Sequence, residues 1–259
     1  MIKAIFFDVD GTLLSHTLKK IPDSTRKSID LLQKKGIKVY LSTGRHLNEL
    51  KELPILDIKF DGYICLNGQM VLDRHHELLF GSAMRDEMEK KMVELFNRKE
   101  IPFILVTEKE LYMNFVNDLV VAVQKEISSS IPEVHEYDGK PIYMATAYLM
   151  KDKEDSLINE LPEGLKLVRW QPKAADIIME GDGKVEGIKK ILEYLSITKE
   201  EIMAFGDAGN DITMLEFAGV GVAMGNADEE TKSHADYVTD HIDNDGVEKA
   251  LIHFGLLDK

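Results

Sequence analysis

Short apolar runs alternate with amphipathic segments over the first part of the chain, which is the pattern of a parallel β-sheet with crossover helices. Residues 3–7, 37–42 and 62–66 are predicted as buried strands, because each run is short and almost continuously apolar. Residues 22–35 are predicted as a helix, closed by a glycine. Asn67-Gly68 predicts a hairpin turn after the third strand. This order of elements indicates an α/β fold.

The α/β pattern returns near residue 184, whereas the stretch before it mixes helix and strand patterns in another order. Its predicted elements are helices at 85–99, 117–128 and 152–161 and strands at 102–106, 111–115, 142–150, 165–170 and 175–179. The elements predicted after it are helices at 184–194, 211–217 and 246–254 and strands at 202–205 and 219–223. We therefore predict a doubly wound, mostly parallel Rossmann-like core from residues 1–81 and 183–259, with an inserted α+β cap domain at residues 82–182.

Composition and charge narrow the class of partner. The 259 residues have a formal charge of −14, which disfavours binding to a nucleic-acid backbone or to an anionic membrane. Cys65 is the single cysteine, so no internal disulfide can form, and the first residues are too short an apolar stretch for a signal or membrane segment. We expect a cytoplasmic protein whose anionic substrate is held by a few placed cations. The sequence gives no indication of the oligomeric state.

Two carboxylates follow the first predicted strand directly. Asp8 can attack a phosphorus atom, and Asp10, two residues later, can protonate a leaving oxygen and then activate water. Gly11 allows a sharp turn close to a phosphate. An acidic turn without catalytic function is the simpler alternative for these residues.

A second acidic group, Asp207 and Asp211, follows another short apolar strand. Several carboxylates beside a phosphate would repel it, and a divalent cation between them resolves that conflict. Oxygen ligands together with phosphate favour Mg²⁺. Asp211 can also serve as a helix cap.

Lys184, Thr43 and Gly44 are candidate phosphate ligands. The Lys184 ammonium can grip a phosphoryl oxygen, and the Thr43 hydroxyl and Gly44 amide can donate hydrogen bonds to one. Each of these residues also has an ordinary alternative, as a surface lysine or a strand-end turn. The ATP-binding P-loop and the dinucleotide-binding glycine motif are both missing, so no motif supports an ATP-driven motor or an NAD-dependent enzyme.

In this order the four pieces resemble the motifs of the haloacid dehalogenase superfamily. Residues 8–12 resemble its first motif, Thr43 its second, Lys184 its third and residues 206–211 its fourth. The large insert between the second and third motifs is similar to the type IIB cap of the Cof-type branch. Residues 42–45, 67–68 and 221–227 are further matches, and the resemblance extends over the whole chain.

The resemblance implies a role for each matching residue. Asp8 would be the nucleophile and Asp10 the general acid/base. The metal, Mg²⁺, would bind the Asp8 carboxylate, the Asp10 backbone carbonyl and Asp207, with Asp211 in support. The residues implied in phosphate binding are Val9 through its backbone, Thr43, Gly44, Lys184 and Asn210.

Substrate recognition is expected at four further positions. Arg45 and Asn67 belong to the matching core segments, whereas Trp170 and Lys173 lie near the end of the insert. Simple packing is an equal alternative for Trp170.

The resulting hypothesis is a Mg²⁺-dependent phosphatase of a small phosphorylated metabolite, foremost a sugar or hexose phosphate. A flavin-pathway or pyridoxal phosphate monoester would need the same core residues. A phosphomutase remains open, because one mutase type shares the later insertion point. A sugar-phosphate sensor without turnover is the third alternative, although a pure binding module needs neither Asp8 nor Asp10.

Overall fold

The computed structural model describes residues 1–127, 129–181 and 183–258 of the chain. The chain divides into two compact units, one made of Met1–Phe80 and Asp182–Lys259 and the other of Gly81–Gly181. Three residues that the sequence-based predictions include, Ser128, Asp182 and Lys259, lie outside the described residues. Within the described ranges, no helix has both the length and the apolar character needed to span a bilayer.

The first unit is built on an eight-stranded sheet. Its strands are β1 Ala4–Phe7, β2 Lys38–Ser42, β3 Gly62–Cys65, β4 Met70–Asp73, β5 Leu78–Gly81, β11 Ile202–Gly206, β12 Val220–Ala223 and β13 Tyr237–Val238. Their order in the sheet is β13-β12-β11-β1-β2-β3-β4-β5. Its helices are α1 Asp23–Lys34, α2 Leu47–Lys51, α6 Lys184–Leu195, α7 Ile212–Phe217, α8 Glu229–Ser233 and α9 Gly246–His253. The six strands from β13 to β3 run parallel, and β4 pairs antiparallel with β3.

Strands β11, β1, β2 and β3 are neighbours at the centre of this sheet. The paired residues Phe7 and Phe205 place the ends of β1 and β11 level, and Phe7 also pairs with Leu41 near the end of β2. All residues of β1 are buried, as expected for a strand covered on both faces. Because the four strands are parallel, the residues that follow them meet at one edge, at the point where the connections leave in opposite directions.

The second unit contains an antiparallel sheet in the order β7-β6-β8-β10-β9. Its strands are β6 Phe103–Val106, β7 Leu111–Met113, β8 Met144–Tyr148, β9 Leu165–Gln171 and β10 Ala174–Met179, and its helices are α3 Asp86–Arg98, α4 Asp118–Glu126 and α5 Glu154–Ile158. Met92, Leu95 and Phe96 of α3 share an apolar core with alternate residues of the sheet, among them Ala145 and Ala147. This period-two pattern buries one face of the sheet under helices.

The fold class predicted from sequence, a mostly parallel α/β core with an α+β insert, is confirmed. The short elements β5, β13, α2 and α8 were not predicted, because two to five residues carry too little periodicity to be recognised. The predicted hairpin after β3 exists, but Cys65 pairs with Met70, so its loop has four residues rather than two. Leu66, Asn67 and Gly68 in that loop all have positive φ angles, of 54°, 51° and 96°.

Candidate active site

Three carboxylates from two strand ends converge in the first unit. Asp8 follows β1, whereas Asp207 and Asp211 belong to the connection that follows β11. One oxygen of each residue lies within 4.8 Å of the others. Asp8 and Asp211 are buried, with exposed fractions of 6% and 0%. The structure thus brings together residues that are about 200 positions apart in the chain.

Lys184 supplies a cation to this cluster. Its Nζ donates to Asp8 Oδ1 at 2.5 Å and to Asp211 Oδ1 at 2.6 Å, and the residue has no exposed surface. Burial alone would lower the pKa of Lys184, but the carboxylates of Asp211 and Asp8 outweigh it and raise the pKa, so the ammonium stays charged. Lys184 begins α6, as predicted. Its side chain is fully buried, so it is not a solvent-facing surface lysine.

The cluster holds more negative than positive charge. Three carboxylates face one ammonium, and burial raises the pKa of Asp8 well above its usual range, opposed by Lys184 and reinforced by Asp211 and Asp207. Burial, with the charge of Asp211, also raises the pKa of Asp207 to about 7. A buried excess of negative charge is costly, so this site favours either a proton or a bound cation.

The oxygens available to a cation differ between the three residues. Asp211 accepts from Lys184 with Oδ1 and from the amides of Asp207 and Ala208 with Oδ2, at 3.0 and 3.1 Å, so both its oxygens are engaged. Among the described residues, hydrogen bonds to the Asp8 carboxylate reach only Oδ1. Asp207 accepts one hydrogen bond from a neutral donor on each oxygen, at 2.9 and 3.3 Å. With one hydrogen bond to Asp8, two to Asp207 and three to Asp211 among the described residues, Asp8 and Asp207 keep more oxygen capacity for a cation, and Asp211 fits a supporting role.

Two residues that sequence reasoning left without a role hold Asp207 in place. Thr12 Oγ1 donates to Asp207 Oδ1 at 2.9 Å, and Asn226 Nδ2 donates to Asp207 Oδ2 at 3.3 Å and to the Gly11 carbonyl at 2.8 Å. Both residues stand in segments that match the family motifs, and that position was the signal available. A Cβ on Gly11 would lie 2.1 Å from Asp207 Oδ2, so only glycine fits between the two connections.

Asp10 lies beside the cluster but its carboxylate turns to another partner. Arg45 Nε donates to Asp10 Oδ2 at 2.6 Å and Arg45 Nη2 donates to Oδ1 at 2.9 Å, a bidentate ion pair. Burial works against the Arg45 charge, but the hydrogen bond and charge of Asp10 raise the pKa of Arg45 overall. The carbonyl of Val9, between the two aspartates, accepts from the amides of Leu13 and Leu14 and closes the turn.

The turn after β2 joins the same edge of the sheet. Thr43 is buried, and its Oγ1 accepts from the Arg45 amide at 3.1 Å. The backbone N–H of Asn67 donates to the Thr43 carbonyl at 3.0 Å, and the side-chain Nδ2 of Asn210 donates to Asn67 Oδ1 at 3.3 Å. A Cβ on Gly44 would meet the Asn67 side chain at 3.2 Å. Of the predicted phosphate ligands, Thr43 and Asn210 are therefore linked by hydrogen bonds through Asn67, and Gly44 lies close to the same side chain.

The two candidates of the second unit have partners within that unit. Trp170 is 37% exposed, and its Nε1 donates to Asp176 Oδ1 at 3.0 Å, where Thr146 Oγ1 also donates at 2.9 Å. Lys173 Nζ forms an ion pair with Glu126 Oε1 at 2.8 Å. Trp170 is thus neither fully packed nor free of polar contacts.

Comparison with known proteins assigns the chain and its fold to a family. The family model for haloacid dehalogenase-like hydrolases matches residues 5–251. The chain belongs to this family. Membership in the haloacid dehalogenase superfamily, in the Cof-type branch with a type IIB cap, was predicted from the motifs and is confirmed.

Two solved structures and one sequence relative illustrate the similarity. BT1666 from Bacteroides thetaiotaomicron, described among the phosphatases of this enzyme superfamily, is 34% identical, with a TM-score of 0.89 over 99% of this chain and 96% of its own. BT4131, described as a subclass IIB sugar phosphatase, is 36% identical, with a TM-score of 0.86 over 98% of this chain and all of its own. The 5-amino-6-(5-phospho-D-ribitylamino)uracil phosphatase YcsE of Bacillus subtilis (strain 168) is 31% identical over 98% of this chain and 96% of its own. The predicted enzyme class, a phosphatase of the haloacid dehalogenase superfamily, is confirmed.

Proposed function

We propose that this member of the family is a Mg²⁺-dependent phosphatase that hydrolyses a small phosphorylated metabolite through an aspartyl-phosphate on Asp8. The observation that carries the proposal is the cluster of buried Asp8 and Asp211 and partly buried Asp207 with Lys184, at the shared edge of parallel strands. A nucleophile, a charge-compensating lysine and a carboxylate pair for a cation are the parts that phosphoryl transfer requires.

In the first half of the reaction, Asp8 attacks the substrate. An Asp8 carboxylate oxygen forms a bond to phosphorus, and the bond from phosphorus to the ester oxygen breaks. Asp10, which is protonated at this stage, gives its proton to the departing oxygen, so the alcohol leaves neutral and Asp10 becomes ionised, the form that pairs with Arg45 in the structure. Lys184 and the donors of Thr43, Gly44 and Asn210 would stabilise the charge on the phosphoryl oxygens.

In the second half, water returns the enzyme to its starting state. Asp10 takes a proton from a water molecule, whose oxygen forms a bond to phosphorus while the bond to the Asp8 oxygen breaks. Inorganic phosphate leaves, and both aspartates regain their original protonation. Because one residue serves as acid and then as base, the position of its carboxylate matters to both halves.

The magnesium ion would be held by Asp8 and Asp207, with the Asp10 backbone carbonyl as a third ligand and Asp211 in support. When bound, Mg²⁺ supplies charge compensation that lets an anionic phosphate approach anionic carboxylates. The pKa of Asp207, raised to about 7, supports this assignment, because it reflects first the burial of the carboxylate and then the negative charge of Asp211 beside it.

We propose a sugar phosphate as the substrate class, because the structurally similar BT4131 is described as a sugar phosphatase. A flavin-pathway phosphate is the second candidate, because YcsE, of similar length, bears that kind of substrate in its name. We further propose that residues 82–182 select the substrate, that the protein acts in the cytoplasm, and that it binds neither nucleic acid nor membrane. A phosphomutase and a sensor without turnover remain as alternatives. Measurement of phosphate release decides between them and a phosphatase.

The test combines a substrate screen with detection of the intermediate. Phosphate release would be measured over a panel of sugar, flavin-precursor and pyridoxal phosphates with Mg²⁺. The intact mass of acid-quenched enzyme should then show one added phosphoryl group, which Asp8→Asn removes. Turnover without any phosphoenzyme, or phosphoenzyme that persists in Asp8→Asn, would contradict the mechanism.

A further inference from the structure

The Asp10 carboxylate lies beside the cluster of Asp8, Asp207 and Asp211 and forms a bidentate ion pair with Arg45. We propose that Arg45 is the positioning residue for Asp10, and that it acts on catalysis by fixing the Asp10 carboxylate beside the ester oxygen rather than by binding the substrate itself. This inference rests on the proposed function, and it differs from the sequence-based prediction, which placed Arg45 among the substrate ligands.

The geometry of the pair fixes the Asp10 side chain in two respects. Nε and Nη2 of Arg45 each donate to a different oxygen of Asp10, at 2.6 and 2.9 Å, so rotation of the carboxylate about its own axis would break one bond. The arginine side chain is only 12% exposed and the aspartate side chain 30% exposed, so solvent competes little with the guanidinium. A planar guanidinium makes this two-point contact, and an ammonium group cannot.

Arg45 is itself anchored through its backbone. Its amide donates to Thr43 Oγ1 at 3.1 Å, and its carbonyl accepts from the Leu66 amide at 3.3 Å. The next residue, His46, is the N-cap of α2 and its amide donates to Glu49 Oε2 at 2.7 Å, which ties this turn to the helix. The ends of β2 and β3 therefore hold Arg45, and Arg45 in turn holds the side chain that follows β1.

The partly buried Glu49 carboxylate adds to the negative charge around Arg45. Its charge, together with that of Asp10, raises the pKa of Arg45, so two carboxylates act on the guanidinium. An arginine that is balanced by carboxylates has little net attraction left for the phosphate of a substrate. This charge balance favours a positioning role for Arg45 over direct phosphate binding.

A residue that acts through a general acid has a recognisable kinetic signature. An alkyl phosphate needs protonation of its leaving oxygen, whereas p-nitrophenyl phosphate releases a stable phenolate and needs little. Misplacement of the Asp10 carboxylate should therefore reduce kcat/KM for the alkyl ester far more than for the aryl ester. A substrate-binding arginine would instead affect both esters equally through their common phosphate, and a structural arginine would lower the melting temperature.

The experiment compares Arg45→Gln and Arg45→Lys with the parent enzyme on one alkyl phosphate and on p-nitrophenyl phosphate, both with Mg²⁺. We expect Arg45→Gln to lose about 10²-fold in kcat/KM on the alkyl ester and clearly less on the aryl ester. Arg45→Lys should keep the charge but restore little of the loss, because it cannot make the two-point contact. Arg26→Gln is the matched control, since Arg26 pairs with Asp57 on the surface of the same unit.

A double-mutant cycle completes the test. In the Asp10→Asn background, Arg45→Gln should cause no further loss on the alkyl ester, because its only route to catalysis is gone. Equal losses on both esters, a full additional loss in the Asp10→Asn background, or complete rescue by Arg45→Lys would each overturn the inference. Failure of the proposed function itself would show differently, as normal turnover by Asp8→Asn.

Discussion

Lys184 and Lys173 were both predicted as site residues, but they differ in burial and in the balance of charge around them. Lys184 is fully buried between two carboxylates of the first unit, whereas Lys173 is one-third exposed and pairs with Glu126 of the second. The first ion-pair cluster has more carboxylates than cations, and the second is balanced. The excess of negative charge is therefore found around Lys184, where phosphoryl transfer is proposed, and not at the ion pair of Lys173.

The aspartates of the two units show the same contrast. Asp176 accepts hydrogen bonds from the neutral donors of Thr146 and Trp170, whereas Asp8 faces further carboxylates and Lys184. The difference lies in the neighbouring charge and not in the neutral donors, since Asp207 also accepts from the neutral donors Thr12 and Asn226. Crowding of carboxylates leaves a site that a cation can complete.

The largest expected effect comes from Asp8→Asn. The amide is nearly isosteric with the carboxylate but is a poor nucleophile, so kcat should fall by about 10³-fold or more while the fold is retained. Steady-state turnover and circular dichroism would measure the two properties. Asp61→Asn is a suitable control, because Asp61 is a mostly buried aspartate of the same unit that pairs with Lys38. Near-normal turnover by folded Asp8→Asn would remove the covalent mechanism.

Removing each lysine tests the comparison through stability. Lys184→Met leaves Asp8 and Asp211 buried without their ammonium, which should cost about 3–5 kcal/mol in the free energy of unfolding. Lys173→Met removes an exposed pair and should cost at most about 1 kcal/mol. Urea unfolding of both variants in metal-free buffer gives the difference. Equal losses in the free energy of unfolding would mean that the buried Lys184 cluster contributes no more stability than the exposed Lys173 ion pair.

Metal removal tests whether the first unit's excess negative charge is completed by a cation. Chelation should reduce turnover by about 10²-fold or more, since such charge compensation contributes several kcal/mol, and Mg²⁺ should restore it. Ca²⁺ should restore it poorly, because it prefers more ligands at longer distances. Mg²⁺ should also raise the melting temperature of the parent and not of Asp207→Asn. Full activity in metal-free buffer would contradict the role given to Asp207.

The smallest expected effect concerns the second unit. Trp170→Phe keeps an aromatic ring but removes the donor to Asp176, so we expect a several-fold change in the relative kcat/KM among sugar phosphates, about the size of one lost hydrogen bond. The kcat/KM for p-nitrophenyl phosphate should change less. A ranking that stays the same while the melting temperature falls would instead mean that Trp170 serves only packing.

The sequence by itself determined the fold class, most of the strands and helices along the chain, and the residue types at the strand ends. Apolar periodicity is a local property, so runs such as 3–7 and 202–205 identify buried strands without reference to the rest of the chain. Asp8, Lys184 and Asp207 could be named for the same reason, because each stands directly beside a recognisable element within a motif. The short helix α2 was not predicted, because its five residues carry little periodicity and its capping contacts between His46 and Glu49 are seen only in the structure.

Only the tertiary structure decided which of these side chains meet. Thr12 and Asp207 are 195 positions apart, and their hydrogen bond exists because β1 and β11 are neighbours in the sheet. The pairing of Asp10 with Arg45 and of Trp170 with Asp176 likewise follows from strand order and side-chain direction. Local patterns hold no information on strand order, since burial of any apolar strand satisfies the same periodicity. Partners, distances and the balance of charge at the site are therefore properties of the folded chain alone.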